Sequence, residues 1–171
     1  RTRGATVLEA PWGGYSAQKN LAIDKTRHAW ILSLDADEVV TETLKAQIIS
    51  VLEVDGPADG YRVPRKNIFF GKWLRHGDHW PDHQIRLFRK KSGRFNEKPV
   101  HESVDVDGVV VALSDPLEHH SYDDIGEFFA RQARYATLAA EELHMKGRAP
   151  GIADFLFRPF WRFIKGYIIK G

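Results

Sequence analysis

Residues 30–34 form an apolar run that ends abruptly in three acidic residues, Asp35, Asp37 and Glu38. A run of this length is typical of a strand that is buried on both faces of a parallel sheet. In open α/β sheets, ligands bind outside the carboxyl ends of the strands. The sequence therefore predicts an α/β fold with a polar site where this strand ends.

Helical and strand patterns alternate around this central strand. Residues 5–10 are predicted to form a strand, and Ser16 is placed to cap a helix over 17–27. Thr41 is a good N-cap for the next helix, which carries an apolar stripe. The predicted order β-α-β-α indicates a Rossmann-like sheet in the first part of the chain.

The pattern changes after residue 60. Strands are predicted over 61–65, 84–89, 100–106 and 109–113, as antiparallel neighbours, and Asp107 with Gly108 indicates a hairpin between the last two. A long amphipathic helix is predicted over 121–146, with Ser121 and Asp124 as a capping box and Gly147 at its end. The second part of the chain is thus predicted to end in helices.

The composition limits the chemistry of any metal site. The 171 residues include no cysteine, so disulfides and thiolate sites are excluded and a metal must bind Asp, Glu or His. The formal net charge of +2 provides no broad basic field, and nucleic acid is not an expected partner.

The acidic residues after the central strand have three possible interpretations. Asp35 and Asp37 can share a hard divalent cation that bridges a diphosphate and neutralises charge on a departing phosphate. They can instead be an acidic helix start, because carboxylates favour a helix N-terminus. The string DADEVV at 35–40 also resembles the nucleophile motif of haloacid-dehalogenase-type phosphatases, although a strand and a helix precede it here.

Several ordered motifs resemble glycosyltransferase family 2, in particular its bacterial lipopolysaccharide-core β-glucosyltransferase branch. The resemblance covers almost the whole chain. It is carried by QKN at 18–20, WILSLDADE at 30–38, VPRKN at 63–67, PDHQIRLFR at 81–89, VHE at 100–102 and HHSY at 119–122.

This resemblance implies a GT-A fold, an Mg²⁺ or Mn²⁺ ion, a nucleotide-diphospho-sugar donor and inversion at the anomeric carbon. The acceptor would be a lipopolysaccharide core or another surface glycan, at the cytoplasmic face of the inner membrane. It also implies that the family's first strand and nucleotide-base pocket precede Arg1. Residues 1–120 would be a partial GT-A domain, and residues 121–171 a helical extension.

The resemblance also suggests roles for single residues. Asp82 is the expected catalytic base that takes the proton of the acceptor hydroxyl, with Glu102 as the alternative. A turn residue after a proline is the structural alternative for Asp82.

On the donor side, Gln18, Lys19, Asn20 and Asp35 are expected to bind substrate, and the guanidinium of Arg86 matches a phosphate. A solvated lysine and a charged strand face are the structural alternatives. His101, or alternatively His119, is expected to complete the metal shell formed by Asp35 and Asp37.

The last segment, residues 155–170, interleaves aromatic and aliphatic residues with Arg158, Arg162, Lys165 and Lys170. It is too short and too charged to span a bilayer, and an interfacial helix that makes peripheral membrane contact fits the pattern better. A core or oligomer helix is the alternative. For the chain as a whole, a non-catalytic module that binds lipid or glycan through this segment competes with the enzyme interpretation.

Overall fold

The structure, a computed structural model, describes residues 4–54, 56–77, 79–96, 102–148 and 150–169. The elements in chain order are α1 (Tyr15–Lys25), β1 (Trp30–Leu32), β2 (Glu38–Val40), α2 (Glu42–Val54), β3 (Gly60–Phe69), β4 (Lys72–Trp73), β5 (Asp82–Arg89), β6 (Gly93–Phe95), β7 (Val104–Val106), β8 (Val110–Ala112), β9 (Leu117–Tyr122), α3 (Ile125–Met145), α4 (Ile152–Phe163) and a π-helical segment (Ile164–Ile169). The α/β prediction with C-terminal helices is confirmed.

The larger sheet is mixed, as expected for a GT-A-like fold. Its strand order is β1-β5-β3-β9-β2, and β4 and β8 also pair with β3. β1 is antiparallel to β5, whereas β3 is parallel to both β8 and β9. The prediction of antiparallel neighbours is therefore wrong for β3 and β8, although β3 does pair with β4 in an antiparallel register.

The position of the central apolar strand was predicted correctly, but its predicted burial on both faces of a parallel sheet was wrong. β1 stands at the end of the strand order and pairs with β5 in an antiparallel register, Ile31 opposite Phe88. Leu32 and Leu34 are each 40% exposed. An apolar run indicates a strand, but it carries no information on which strand lies beside it.

Four local predictions are corrected by the structure. Residues 5–10 have no regular secondary structure, and Ser16 lies inside α1, whose N-cap is Gly14. The hairpin is wrong because β7 pairs with β6 and β8 pairs with β3. Ser121 is a buried residue of β9, and the backbone N–H of Glu127 donates to Oδ1 of Asp124, so the cap at the start of α3 is Asp124 and not Ser121.

By its internal contacts the chain divides into two compact units. Unit 1 consists of Arg1–Ala36, Val40–Pro64 and His83–Pro116, and unit 2 of Asp37–Val39, Arg65–Asp82 and Leu117–Gly171. Strand β3 contributes its first half to unit 1 and its second half to unit 2. The predicted division into domains 1–120 and 121–171 remains a prediction.

Unit 1 has an apolar core between α1 and the strands. It is formed by Ile23 of α1, Ile31 of β1, Phe88 of β5, Phe95 of β6 and Val104 of β7. Phe88 is completely buried. The core holds α1 against β1, which precedes Asp35, and against β5, which carries Arg86. Burial of these side chains stabilises that arrangement.

The predicted cap of α2 is confirmed. The backbone N–H of Leu44 donates to Oγ1 of Thr41 over 3.1 Å, and the Thr41 hydroxyl donates to the carbonyl of Pro116 over 2.9 Å. Leu44 and Ile48 of the apolar stripe are buried. Thr41 therefore begins the helix and joins it to the loop before β9.

Unit 2 has an aromatic core beside β9. Phe69 and Phe128 both contact the ring of Tyr122 edge-on, with centroids 5.0 and 5.1 Å from it. In α4 no residue is buried, and its aromatic side chains are largely exposed. Of the helices in the described part of the chain, none has the length and apolarity to cross a membrane.

Candidate functional site

Four of the predicted site residues meet in unit 1. Nη2 of Arg86 lies 2.7 Å from Oδ2 of Asp35, and Nζ of Lys19 lies 3.0 Å from Oδ1 of the same carboxylate. The same ammonium also lies 3.1 Å from Oε1 of Glu102. Lys19, Asp35, Arg86 and Glu102 are here called the Asp35 cluster.

Backbone and side-chain hydrogen bonds hold this cluster in place. The N–H of Ser33 donates to the carbonyl of Arg86 over 2.8 Å and so ties the segment before Asp35 to β5. The amide of Asn20 donates to the carbonyl of Phe95 and accepts from its N–H, which fixes α1 to β6. Gln18 donates to the carbonyl of Pro11. The predicted substrate contacts of Gln18 and Asn20 remain predictions.

The electrostatics of the cluster favour an ionised Asp35. Partial burial raises the pKa of Asp35, but the Arg86 guanidinium and the Lys19 ammonium together outweigh it and leave the pKa below its ordinary value of 3.8. Arg86 is only 6% exposed. Asp35 is thus a carboxylate already paired with two cations.

A second group of polar residues meets in unit 2. Oδ2 of Asp37 lies 3.3 Å from Nε2 of His119, and Nδ1 of His119 lies 2.7 Å from Oδ1 of Asn67. The amide nitrogen of Asn67 donates to Oδ2 of Asp82 over 3.2 Å. We call these four residues the Asn67 network: Asp37, Asn67, Asp82 and His119. In it, His119 and Asn67 connect the two predicted site residues Asp37 and Asp82.

The hydrogen-bond pattern determines the tautomer of His119. The carboxylate of Asp82 can only accept, so the NH₂ group of Asn67 faces Asp82 and its carbonyl oxygen faces His119. Nδ1 of His119 therefore carries the hydrogen. In the neutral imidazole, Nε2 then presents its lone pair on the side of Asp37.

Burial favours this neutral form. Burial lowers the pKa of His119, and the Arg65 guanidinium lowers it further, whereas Asp37 and Glu38 act in the opposite direction and do not overcome these effects. A neutral imidazole nitrogen and a carboxylate oxygen 3.3 Å apart are two donor atoms that one cation can share.

Arg65 contacts two carboxylates, that of Asp82 in the Asn67 network and that of Glu38. Its Nε and Nη2 donate to Oδ2 of Asp82 over 2.9 and 2.6 Å. Its Nη1 lies 3.7 Å from Oε1 of Glu38, whose side chain is fully buried. The guanidinium therefore compensates a buried carboxylate while it fixes the orientation of Asp82.

Two residues of this arrangement received no role in the sequence analysis, Arg65 and Asn67. They alternate along β3, so their side chains share one face of the strand, and this period of two was a signal that pointed to them. Asn67 is the direct register partner of His119 across the parallel pair β3 and β9. That pairing was not predictable, since β9 was not predicted as a strand.

The metal shell is incomplete among the described residues. His101, the predicted third ligand, lies outside them. Within the described ranges, no group of three or more His, Asp or Glu side chains is arranged to hold a metal ion. Asp37 with the alternative ligand His119 is a pair that fits the donor preferences of a divalent cation.

Comparison with known proteins agrees with the resemblance. Residues 1–120 match the family described as Glycosyl transferase family 2. The chain is 27% identical over 163 residues to the lipopolysaccharide core biosynthesis glycosyltransferase LpsC of Rhizobium meliloti (strain 1021), covering 94% of this chain and 60% of that protein.

Two rickettsial proteins are similar to the same extent. An uncharacterized glycosyltransferase of Rickettsia bellii (strain RML369-C) is 26% identical over 182 residues, 98% of this chain and 60% of its own length. The uncharacterized glycosyltransferase RP128 of Rickettsia prowazekii (strain Madrid E) is 26% identical over 185 residues, 99% of this chain and 62% of its own. The chain thus spans about three-fifths of the length of these relatives. With a family match over most of its residues, the chain belongs to glycosyltransferase family 2.

Proposed function

We propose that the chain is the acceptor-side and metal-binding part of an inverting glycosyltransferase that uses a nucleotide-diphospho-sugar. The observation that carries this proposal is the Asn67 network. In it, Asp37 and His119 offer a pair of metal donors, and the amide of Asn67 orients both His119 and Asp82. Enzymes of the family commonly use divalent metals. The carboxylate of Asp37 suits both Mg²⁺ and Mn²⁺, whereas the imidazole of His119 is a softer donor than Mg²⁺ prefers. The match to family 2 favours sugar transfer over the phosphatase alternative.

The proposed reaction is a single displacement. The acceptor oxygen forms a bond to the anomeric carbon while the bond from that carbon to the diphosphate oxygen breaks, and the leaving diphosphate keeps the electron pair. Asp82 accepts the proton of the acceptor hydroxyl. Asp37 and His119 would hold the cation, which supplies neutralisation of the charge on the leaving diphosphate. Glu102 remains the alternative base. Both carboxylates are paired with a cation, Glu102 with Lys19 and Asp82 with Arg65, and Asp82 is preferred because it belongs to the network that contains Asp37.

The Asp35 cluster is proposed to bind substrate. Two cationic side chains already compensate the negative charge of Asp35. Asp37 is therefore the better candidate for a metal ligand. Lys19 and Arg86 are donors that match phosphate and sugar oxygens. We therefore assign Asp35 and Asp37 to different tasks, in contrast to the expectation that both bind one ion.

Metal binding and turnover test this assignment separately. Mn²⁺ binding, followed by electron paramagnetic resonance, is expected in the wild type and lost in Asp37→Asn. Release of nucleoside diphosphate from nucleotide-sugars is expected to fall about 100-fold or more in Asp82→Asn, which keeps its metal affinity. Asp24→Asn, which changes an exposed carboxylate paired with Arg94, is the matched control.

Two outcomes would contradict the proposed metal site and the proposed enzyme activity, respectively. Wild-type metal affinity in Asp37→Asn would remove the proposed metal site. Metal binding without any donor turnover, together with glycan or lipid binding, would favour the non-catalytic module. Transfer to a lipopolysaccharide-core saccharide, as the name of the Rhizobium meliloti relative suggests, is the proposed physiological reaction.

A peripheral contact with an anionic membrane surface is the proposed role of the C-terminal segment. Exposed side chains of α4 and the π-helical segment include Leu156, Phe157, Phe160, Trp161, Phe163 and Tyr167. Arg158 and Arg162 lie on the other side of α4, given 3.6 residues per turn. Apolar and cationic faces of this kind suit the boundary between headgroups and acyl chains at the cytoplasmic face of the membrane.

Vesicle sedimentation tests the membrane contact. Vesicles with an anionic phospholipid are expected to sediment the wild-type chain, and the double variant Phe160→Glu/Trp161→Glu is expected to remain in the supernatant. Met145→Glu, a change of an exposed apolar residue on α3, is the control. Equal sedimentation of the double variant would contradict the proposal.

A further inference from the structure

A pocket of about 240 Å³ opens in unit 1 next to the Asp35 cluster, and Ile85, Phe95 and Val104 form the apolar part of its lining. Arg62, His83, Gln84, Arg86, Glu102 and Ser103 contribute to its lining. Arg86 and Glu102 belong to the Asp35 cluster, whereas Arg62, His83, Gln84 and Ser103 have no role in the function proposed above. The pocket therefore shares two residues with the Asp35 cluster and adds four polar residues that the proposed function does not use.

The lining offers the groups that bind sugar hydroxyls. An amide, a hydroxyl and a carboxylate provide both donors and acceptors, through Gln84, Ser103 and Glu102. A small number of placed polar groups in a concave site is the usual way in which a protein fixes the orientation of a small ligand. The composition of the pocket thus favours a saccharide.

The charges of the pocket are not balanced within it. Arg86 is paired with Asp35, and Glu102 is paired with Lys19. Arg62 is exposed and forms no ion pair with any residue in the described part of the chain. Among the described residues that line the pocket, Arg62 and Arg86 are cationic and Glu102 is anionic, so the lining carries one more cationic than anionic side chain.

Strand pairing keeps Arg62 in place. Arg62 lies on β3 opposite Ala112 of β8, and its carbonyl accepts from the N–H of Leu113 over 2.8 Å. The pairing with β8 and this hydrogen bond thus fix the backbone of Arg62, which carries the guanidinium. A cation on a fixed backbone in the lining of a pocket is suited to a carboxylate or phosphate group.

We propose that this pocket binds the acceptor saccharide through a negatively charged substituent, a carboxylate or a phosphate, with Arg62 as its counter-ion. This inference rests on the proposed glycosyltransferase function and names the class of its acceptor as an acidic or phosphorylated sugar. Gln84 and Ser103 hydrogen-bond to the neutral hydroxyls of the same sugar.

The test is a titration of the ¹⁵N-labelled full chain by nuclear magnetic resonance, without metal. Glucose 6-phosphate and glucuronate are expected to bind more tightly than glucose. In Arg62→Gln, binding of both charged sugars is expected to weaken about tenfold, since a bond to a charged group is lost, while glucose is unaffected. Lys45→Gln is the matched control, because Lys45 is exposed on α2 and pairs only locally with Glu42.

A second arm separates the acceptor from the donor. Saturating uridine diphosphate is expected to leave the binding of glucose 6-phosphate unchanged, whereas displacement would assign the pocket to the donor diphosphate and overturn the proposal. Equal affinity for glucose and for the charged sugars, an unchanged affinity in Arg62→Gln, or no binding of either charged sugar would also overturn it. Because this assay needs neither metal nor turnover, its failure is distinguishable from loss of Mn²⁺ binding at Asp37.

Discussion

Nδ1 of His119 lies 2.7 Å from Oδ1 of Asn67, its direct register partner across the parallel strands β3 and β9. Asn67 is 5% exposed, and its amide nitrogen also donates to Oδ2 of Asp82. One buried amide therefore orients both a candidate metal ligand and the candidate base. This dual contact makes Asn67 a positioning residue whose removal is expected to affect metal affinity without removing any ligand.

Asn67→Ala is expected to weaken Mn²⁺ binding about 10- to 100-fold, the usual cost of losing a partner that orients a metal-binding histidine. Isothermal titration calorimetry measures the affinity, and circular dichroism checks the fold. Asn96→Ala, which removes a side chain bonded to Ser103, is the control and is expected to keep wild-type affinity. An unchanged metal affinity in folded Asn67→Ala would argue that His119 does not bind the ion.

Asp35→Asn is expected to lower the free energy of unfolding by about 1 kcal/mol at neutral pH, because the carboxylate is partly solvated and screened. The pKa of Asp35 in the folded chain lies below its ordinary value of 3.8. The contribution of its ionised form is thus fully present above about pH 4 and is lost as the pH falls through the lowered pKa.

Urea unfolding of the wild type and of Asp35→Asn from pH 7 down to pH 3 measures this effect. The difference between the two proteins should shrink only in the acidic part of that range. Asp24→Asn is the control, because Asp24 is an exposed carboxylate. A difference that stays constant down to pH 3 would contradict the role assigned to Arg86 and Lys19.

Gly93→Ala is expected to destabilise unit 1 by about 1–3 kcal/mol through overpacking. A Cβ at Gly93 would meet the ring of Phe88, which is completely buried in the core. Urea unfolding measures the loss. Gly56→Ala is the matched control, because a Cβ there meets no atom within 4 Å, and equal stability of the two variants would contradict the prediction.

Thr41→Ala is expected to cost about 1 kcal/mol, because it removes the acceptor for the N–H of Leu44 and the bond to the carbonyl of Pro116. Thermal unfolding measures the change. Thr41→Ser keeps the hydroxyl and is expected to retain most of the stability. Equal losses in the two variants would assign the effect to the methyl group and not to the cap.

The sequence predicted well what depends on neighbouring residues. The helix cap at Thr41, the strand before Asp35 and the helix end at Gly147 follow from local preference, and the structure confirms each of them. The prediction failed where pairing decides. The hairpin at residues 107–108 was expected because two valine-rich runs flank a turn, but each run pairs with another strand.

The candidate site shows the same division. The sequence by itself determined that Asp35, Asp37 and Asp82 are carboxylates next to strands, that cysteine takes no part, and that the motifs fit family 2. Only the tertiary structure decided which partners these carboxylates meet: Arg86 and Lys19 for Asp35, and His119 for Asp37. The physical reason is that periodicity and local preference act over a few residues, whereas Asn67 and His119 meet through a strand register that is set by the packing of the whole sheet.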